Sequence, residues 1–300
     1  MDKSSKIKKS LIILCACCIA SAALVGCGNN SEGSSSANQS SVSSEDLKTG
    51  DLKWDFSDDT KTLTISGSAD IEDYSSSSNV PWYKHSEVIE KVIIESGVTS
   101  IGANAFNNLK NLTSVEIADS VKSIGNSAFC KCEKLAGITI PDSVTELGDS
   151  AFMCCKSLSE ISLPKGISTL NKSLFYGCTS LKNIKVPDGA TKIGKSTFFN
   201  CTSLEAVTIP DGLESISIQA FHNCSALTSI ELPKSIQSLG KNVFEKCTAL
   251  TDIRFNGDAP VFGEGVFNEV KATAKYPKDN QTWTEEVTAQ YGGEIKWTAE

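Results

Sequence analysis

Apolar residues along this chain fall into one long period. Phenylalanine stands at 106, 129, 152, 175, 198, 221, 244 and 267, a constant step of 23 without a slip. Other columns keep the same phase. Three residues after each Phe comes Leu109, then Cys132, Cys155, Cys178, Cys201, Cys224 and Cys247; six after it lies a Leu, from Leu112 to Leu250. Nine and eleven after it lie pairs such as Ile138/Ile140 and Ile184/Val186, with proline next at 141, 164, 187, 210 and 233. This stretch alternates with period two and is β-branched, which predicts a short strand. Proline, lacking an N–H, ends it. A second apolar pair, Val144 and Leu147 before Gly148, predicts another extended segment and a turn.

A strand-turn unit of this size cannot bury its own apolar side. Stacked units can, each column becoming a ladder of like side chains through the core. The expectation is a β-rich solenoid of about eight stacked coils, on the order of 40 Å long at parallel-strand spacing. Its repeats occupy residues 83–267. Before them, in residues 49–82, Leu52, Trp54 and Phe56 alternate, Asp58-Asp59-Thr60 offers a turn, and Leu63 and Ile65 alternate back. That is a hairpin cap for the first coil. Residues 268–300 form the closing cap, and all four Trp (54, 82, 283, 297) fall in the two caps.

The segment SIGNSAFCKCEKLAGITIPDSVTEL resembles the leucine-rich repeats of the BspA type. The resemblance covers residues 50–300. Trp54 to Gly67 with Val80-Pro81-Trp82-Tyr83 is similar to that family's N-terminal cap, and Tyr276-Pro277 through Trp297 to its closing segment. The resemblance implies a leucine-rich repeat fold and an envelope-exposed binding protein or adhesin. It implies no shared catalytic motif and names no ligand.

The chain opens with Lys3, Lys6, Lys8 and Lys9, then an apolar run from Leu11 to Val25. That run is short for a membrane span but suits an export signal over residues 1–26. It ends in Leu24-Val25-Gly26-Cys27, which resembles the bacterial lipoprotein box and marks Cys27 for lipid attachment. Acyl chains there would anchor the protein stably. Residues 27–48 are Ser/Gly-rich and hold almost nothing able to form a core, so they predict a disordered tether with an end-to-end distance of roughly 25 Å. The expected location is the cell membrane, lipid-anchored and facing outward.

Composition narrows the function. The 300 residues include 12 Cys but only two His and one Arg, with a formal charge of -8. A single Arg and a net negative charge argue against a nucleic-acid partner, because phosphate contacts need clustered cations. His85 and His222 leave little for a zinc site or a histidine-based triad, so no metal, cofactor or catalytic residue is assigned. The six in-column cysteines occupy a core position where buried Cys acts as a small hydrophobe. Loss of residues 1–26 leaves 24 basic and 35 acidic residues, a net of -11. Residues 151–200 run against that trend, with seven lysines against Glu160 and Asp188, a net of +5.

Two surfaces are candidates for binding. Lys182 and Lys185 fall on the outward side of one strand, with Lys165 just beyond the preceding strand. They are either a solvated face or a contact for an anionic polymer or acidic protein. One residue after each Phe come Cys130, Met153, Tyr176, Phe199 and His222. Met153, Tyr176 and Phe199 there are either packing between turns or an exposed apolar contact ladder. The functional expectation is a lipid-anchored surface protein that binds an extracellular or host protein, or an anionic envelope glycan, without catalysis. A passive spacer and an envelope enzyme are the alternatives.

Overall fold

The computed structural model describes residues 52–288 and 291–300; the export signal, Cys27 and the tether lie outside them. Twenty short strands, β1 to β20 in chain order, and two single 3-10 turns make up the regular structure among the described residues. Two rows of parallel strands run the length of the solenoid, one coil after another. The first row contains β5 (Ser114–Ile117), β7 (Gly137–Thr139), β9 (Glu160–Ser162), β11 (Asn183–Lys185), β13 (Ala206–Thr208) and β15 (Ser229–Leu232). The second contains two-residue strands such as β8 (Glu146–Leu147), β12 (Lys192–Ile193) and β14 (Ser215–Ile216). Register follows the repeat: Ile138 pairs with Ile161, Ile184 with Val207, and Ile193 with Ile216, each with its equivalent one repeat on. Proline then turns the chain between rows, its carbonyl accepting the N–H three residues later, as from Val144 to Pro141 at 3.0 Å.

The core is a set of ladders. All eight Phe rings of the column are fully buried, and consecutive rings stack with centroids 5.1 to 6.0 Å apart. Such near-parallel offset stacks add about 0.5–1.5 kcal/mol per pair beyond area burial. The cysteine column is interior, as expected, and has a second role. Each thiol S–H donates to the carbonyl of a Phe 26 residues earlier, from Cys132 to Phe106 through Cys247 to Phe221, at 3.1 to 3.2 Å. Burial pushes these thiols up, Cys247 to about 12, so they stay protonated and unreactive.

Two backbone features did not emerge from the apolar pattern. The residues two before and two after each Phe take left-handed conformations, as at Ser150 and Cys154 (φ 60° for both) around Phe152. This double kink tucks the ring inward. Asn, Ser and Gly fill many of these positions because they tolerate left-handed φ best. The glycines four before the Phe, such as Gly125, Gly148 and Gly194, mark where adjacent coils touch backbone to backbone. A Cβ on Gly148 would lie 2.4 Å from the Asn126 nitrogen.

The ends close as the alternating segments foretell, with one shift of phase. β1 (Lys53–Ser57) and β2 (Thr62–Ser66) form the antiparallel hairpin, and β2 joins the first row by pairing parallel with β3 (Lys91–Ile94). The ring that covers Phe106 is not Tyr83, which sits in phase, but Trp82. Its indole stacks 5.6 Å from Phe106 and donates to the Ala105 carbonyl at 3.0 Å, while Tyr83 is 50% exposed. The first coil is irregular, since Thr62 lies opposite Lys91, 29 residues on, in place of the 23 that separates Lys91 from Ser114. At the other end Trp297 meets Phe267 edge-on at 6.2 Å. β19 (Lys271–Tyr276) and β20 (Glu294–Ala299) pair over six residues.

Candidate functional site

Strand alternation in the first row turns one residue in two outward. Over β5, β7, β9, β11 and β13 these outward positions line an open groove of about 740 Å³ that crosses five consecutive coils. Its outward side chains are mostly short and polar (Ser114, Thr139, Ser162, Asn183 and Thr208), with Gly137 and Ala206 leaving room, over a floor of Val115, Ile138, Ile161 and Ile184. Glu160 and Lys185 are the charged residues of the lining. Beyond the groove the same face is crossed by ion pairs between coils. Lys91 meets Glu116 on one side; on the other, Arg254 meets Glu300 at 2.9 Å and Lys275 meets Asp252 at 3.2 Å. Several charges at the two ends of the row are therefore paired, and the middle presents mainly hydroxyls and an amide beside Glu160 and Lys185. A smaller cleft of about 380 Å³ adjoins it, lined by Asp211, Ser229, Glu231 and Asn256 among others.

The structure separates the sequence-derived candidates. Lys185 lines the groove, but its ammonium lies 3.0 Å from Asp188. Lys182, also exposed, directly precedes β11, and its carbonyl accepts the Glu205 N–H at 2.8 Å, which sets the exposed Glu205 on the next coil beside it. Lys165 is exposed on the turn after β9, where its carbonyl lies close to Gly189, next to Asp188. Lys185 is thus paired within its own coil, while Glu205 beside Lys182 and Asp188 near Lys165 come from the next coil. Counting charge along the sequence misses the second kind of neighbour, because adjacency in a solenoid also runs from repeat to repeat.

Met153, Tyr176 and Phe199 are half-buried and follow one another along the turn side. Tyr176 stacks on Phe199 at 4.8 Å, and Phe199 on His222 at 4.4 Å. The faces of these rings are turned to each other, so the ladder acts chiefly as packing between coils. Beside it, His222 Nδ1 lies 3.2 Å from Glu245 Oε2. Burial holds the imidazole below its ordinary value of 6.5, against the pull of Glu245 and Glu269, with Lys246 adding to the lowering. In the cap His85 stacks on Phe56 at 4.1 Å and is lowered too, by burial and by Lys84.

A histidine lowered on folding binds its proton less readily in the native state than in the unfolded chain. Its contribution is therefore fully present above about pH 6.5 and lost as pH falls through the unfolded value toward the depressed one. Urea unfolding from pH 7.5 to 5 should show declining stability, and His222→Gln should flatten part of that decline. An identical slope in the variant would dismiss His222 as a contributor.

Repeats of the BspA type leucine rich repeat region match the chain in six copies, over residues 81–204 and 169–287. No curated protein sequence matches it significantly. Among solved structures, a leucine-rich repeat protein from Bacteroides ovatus is similar at 26% identity and a TM-score of 0.55, over 84% of this chain and 76% of that one. A leucine rich cell surface protein from Faecalibacterium prausnitzii is similar at 22% identity and 0.42, over 85% and 95%. The pneumococcal vaccine antigen PcpA follows at 20% and 0.45, over 70% and 62%. With its constant repeat register, its Phe and Cys ladders and repeat matches across most of its length, the chain belongs to the BspA type leucine-rich repeat family.

Proposed function

We propose that this protein is a lipid-anchored, outward-facing surface protein that binds a macromolecule, protein or glycan, along its strand-row groove and performs no catalysis. The observation that carries the reading is the groove itself, with five coils presenting short hydrogen-bonding side chains at regular spacing to an extended ligand. Both imidazoles stand elsewhere, His85 against Phe56 in the cap and His222 in the turn-side ladder. The Leu24–Cys27 box supplies the anchor, and the Ser/Gly-rich linker joins it to the solenoid.

The test is capture of host matrix proteins and of envelope polymers by the full chain. Ser162→Trp with Thr208→Trp should fill the groove and reduce capture at least tenfold while the fold stays intact. Lys182→Glu with Lys185→Glu reports on an anionic partner: it should weaken binding only modestly, since exposed pairs contribute about 0.2–1 kcal/mol each. Undiminished capture by the groove-filled variant would move the site off this face. Absence of saturable capture from any extract would favour a spacer.

A further inference from the structure

The second row of strands carries a different surface. In each coil two positions face outward at its corner: the residue six before the Phe, on the short strand, and the residue three before it, just past the glycine turn. In the first three repeats these are Ser100, Ala103, Ser123, Asn126, Glu146 and Asp149. In the next five they are Thr169, Lys172, Lys192, Lys195, Ser215, Ile218, Ser238, Lys241, Val261 and Glu264. The first group carries two acids and no base; the second carries four lysines and one glutamate.

Within that second group lie two of the few large apolar side chains that the fold leaves in solvent, Ile218 at 44% and Val261 at 75% exposure. Lys172, Lys192 and Lys195 are exposed, and among the described residues no carboxylate lies in ion-pair range of their ammonium groups, although the Asp149 carboxylate accepts the Lys172 backbone N–H at 3.1 Å; Lys241 is paired with Glu264. Column neighbours touch across coils, as the Lys241–Glu264 pair shows, so Lys172, Lys195, Ile218 and Lys241 follow one another along one line. Core packing demands neither isoleucine nor valine at these corners, since serine, asparagine and lysine fill the same positions in other repeats.

Ile218 beside the unpaired Lys195, with Lys172 and Lys192 further along the corner and Val261 beyond the Lys241–Glu264 pair, makes an exposed aliphatic and cationic strip that matches the boundary between anionic headgroups and acyl chains. The aliphatic tips enter the interface while the lysines reach lipid phosphates. We propose that this corner is a docking surface for an anionic lipid bilayer and lays the C-terminal repeats on the membrane that carries the anchor. The groove lies on the other strand row and is left open. The proposal uses the anchor only to bring the surface near a bilayer, and the test does without it.

The mature chain, made without residues 1–26 and with Cys27→Ser so that it cannot be acylated, is sedimented with two kinds of vesicle. One is a two-to-one mixture of phosphatidylcholine and phosphatidylglycerol; the other is phosphatidylcholine alone. Binding is expected to the anionic vesicles only, with a drop of at least fivefold between about 0.05 and 0.5 M salt. Lys192→Glu with Lys195→Glu should abolish it. Ile218→Ser with Val261→Ser should weaken it at least threefold, with unchanged circular dichroism. If the lysine variant loses binding but the serine variant does not, the surface is a contact for a soluble polyanion and the bilayer proposal falls. Equal binding to both vesicle types, or none to either, also overturns it. The groove-filled variant should bind vesicles normally, which keeps this result separate from the capture experiment.

Discussion

Phe175→Ala should lower the unfolding free energy by about 3–5 kcal/mol, the range for deleting a fully enclosed aromatic ring. Phe175 is fully buried between Phe152 at 5.8 Å and Phe198 at 5.6 Å, with both partners nearly parallel to it. The left-handed residues on either side, Ser173 and Gly177, hold the turn in place, so the gap cannot close by local collapse. A central coil also couples two halves of the solenoid, because each repeat touches only its neighbours. Loss of that interface should broaden the urea transition as well as shift it. From the sequence alone Phe267→Ala, beside a cap free to relax, should cost less. Phe267 is instead fully buried against Phe244, Phe262 and Trp297, so its deletion should approach the central value. Urea midpoints of both variants matching wild type would show that the column is not interior.

Gly148→Val should be at least as damaging, through the opposite defect. A Cβ on Gly148 would stand 2.4 Å from the Asn126 nitrogen and 2.5 Å from the Gly125 carbonyl carbon, both backbone atoms of the preceding coil. Neither can swing aside as a side-chain tip would, so the coils must part. The expected loss is about 3 kcal/mol or more, at the upper end for overpacking. Gly189→Ala is the control, its Cβ meeting only the Lys165 carbonyl oxygen at an ordinary 3.5 Å. It should leave the midpoint nearly unchanged. Similar midpoints for the two variants would contradict close backbone contact at this column.

Periodicity alone settled much of the architecture. Eight phenylalanines in one phase can be buried only if every coil repeats the same path, so parallel stacking, the strand after each Leu and the interior cysteine column follow from the residues. The hairpin was equally legible, because Trp54-x-Phe56 and Leu63-x-Ile65 alternate around a polar turn. Backbone contact was not: nothing in the letters says that Gly148 meets Asn126, or that the Phe turn needs two left-handed residues. Trp82 was legible as a cap residue, but its stacking on Phe106 was not, since the irregular first coil puts it out of phase with the Phe column. The candidate lysines show the same divide. Lys182 and Lys185 are outward-facing from alternation, and Asp188 is in reach of Lys185 three residues on, but Glu205 comes alongside Lys182 only once neighbouring coils stack. Side-chain direction is a property of the strand and is written locally. The groove, the interleaved charges and the lysine corner with Ile218 and Val261 belong to neighbours a full repeat apart in the chain, and tertiary structure alone brings those together.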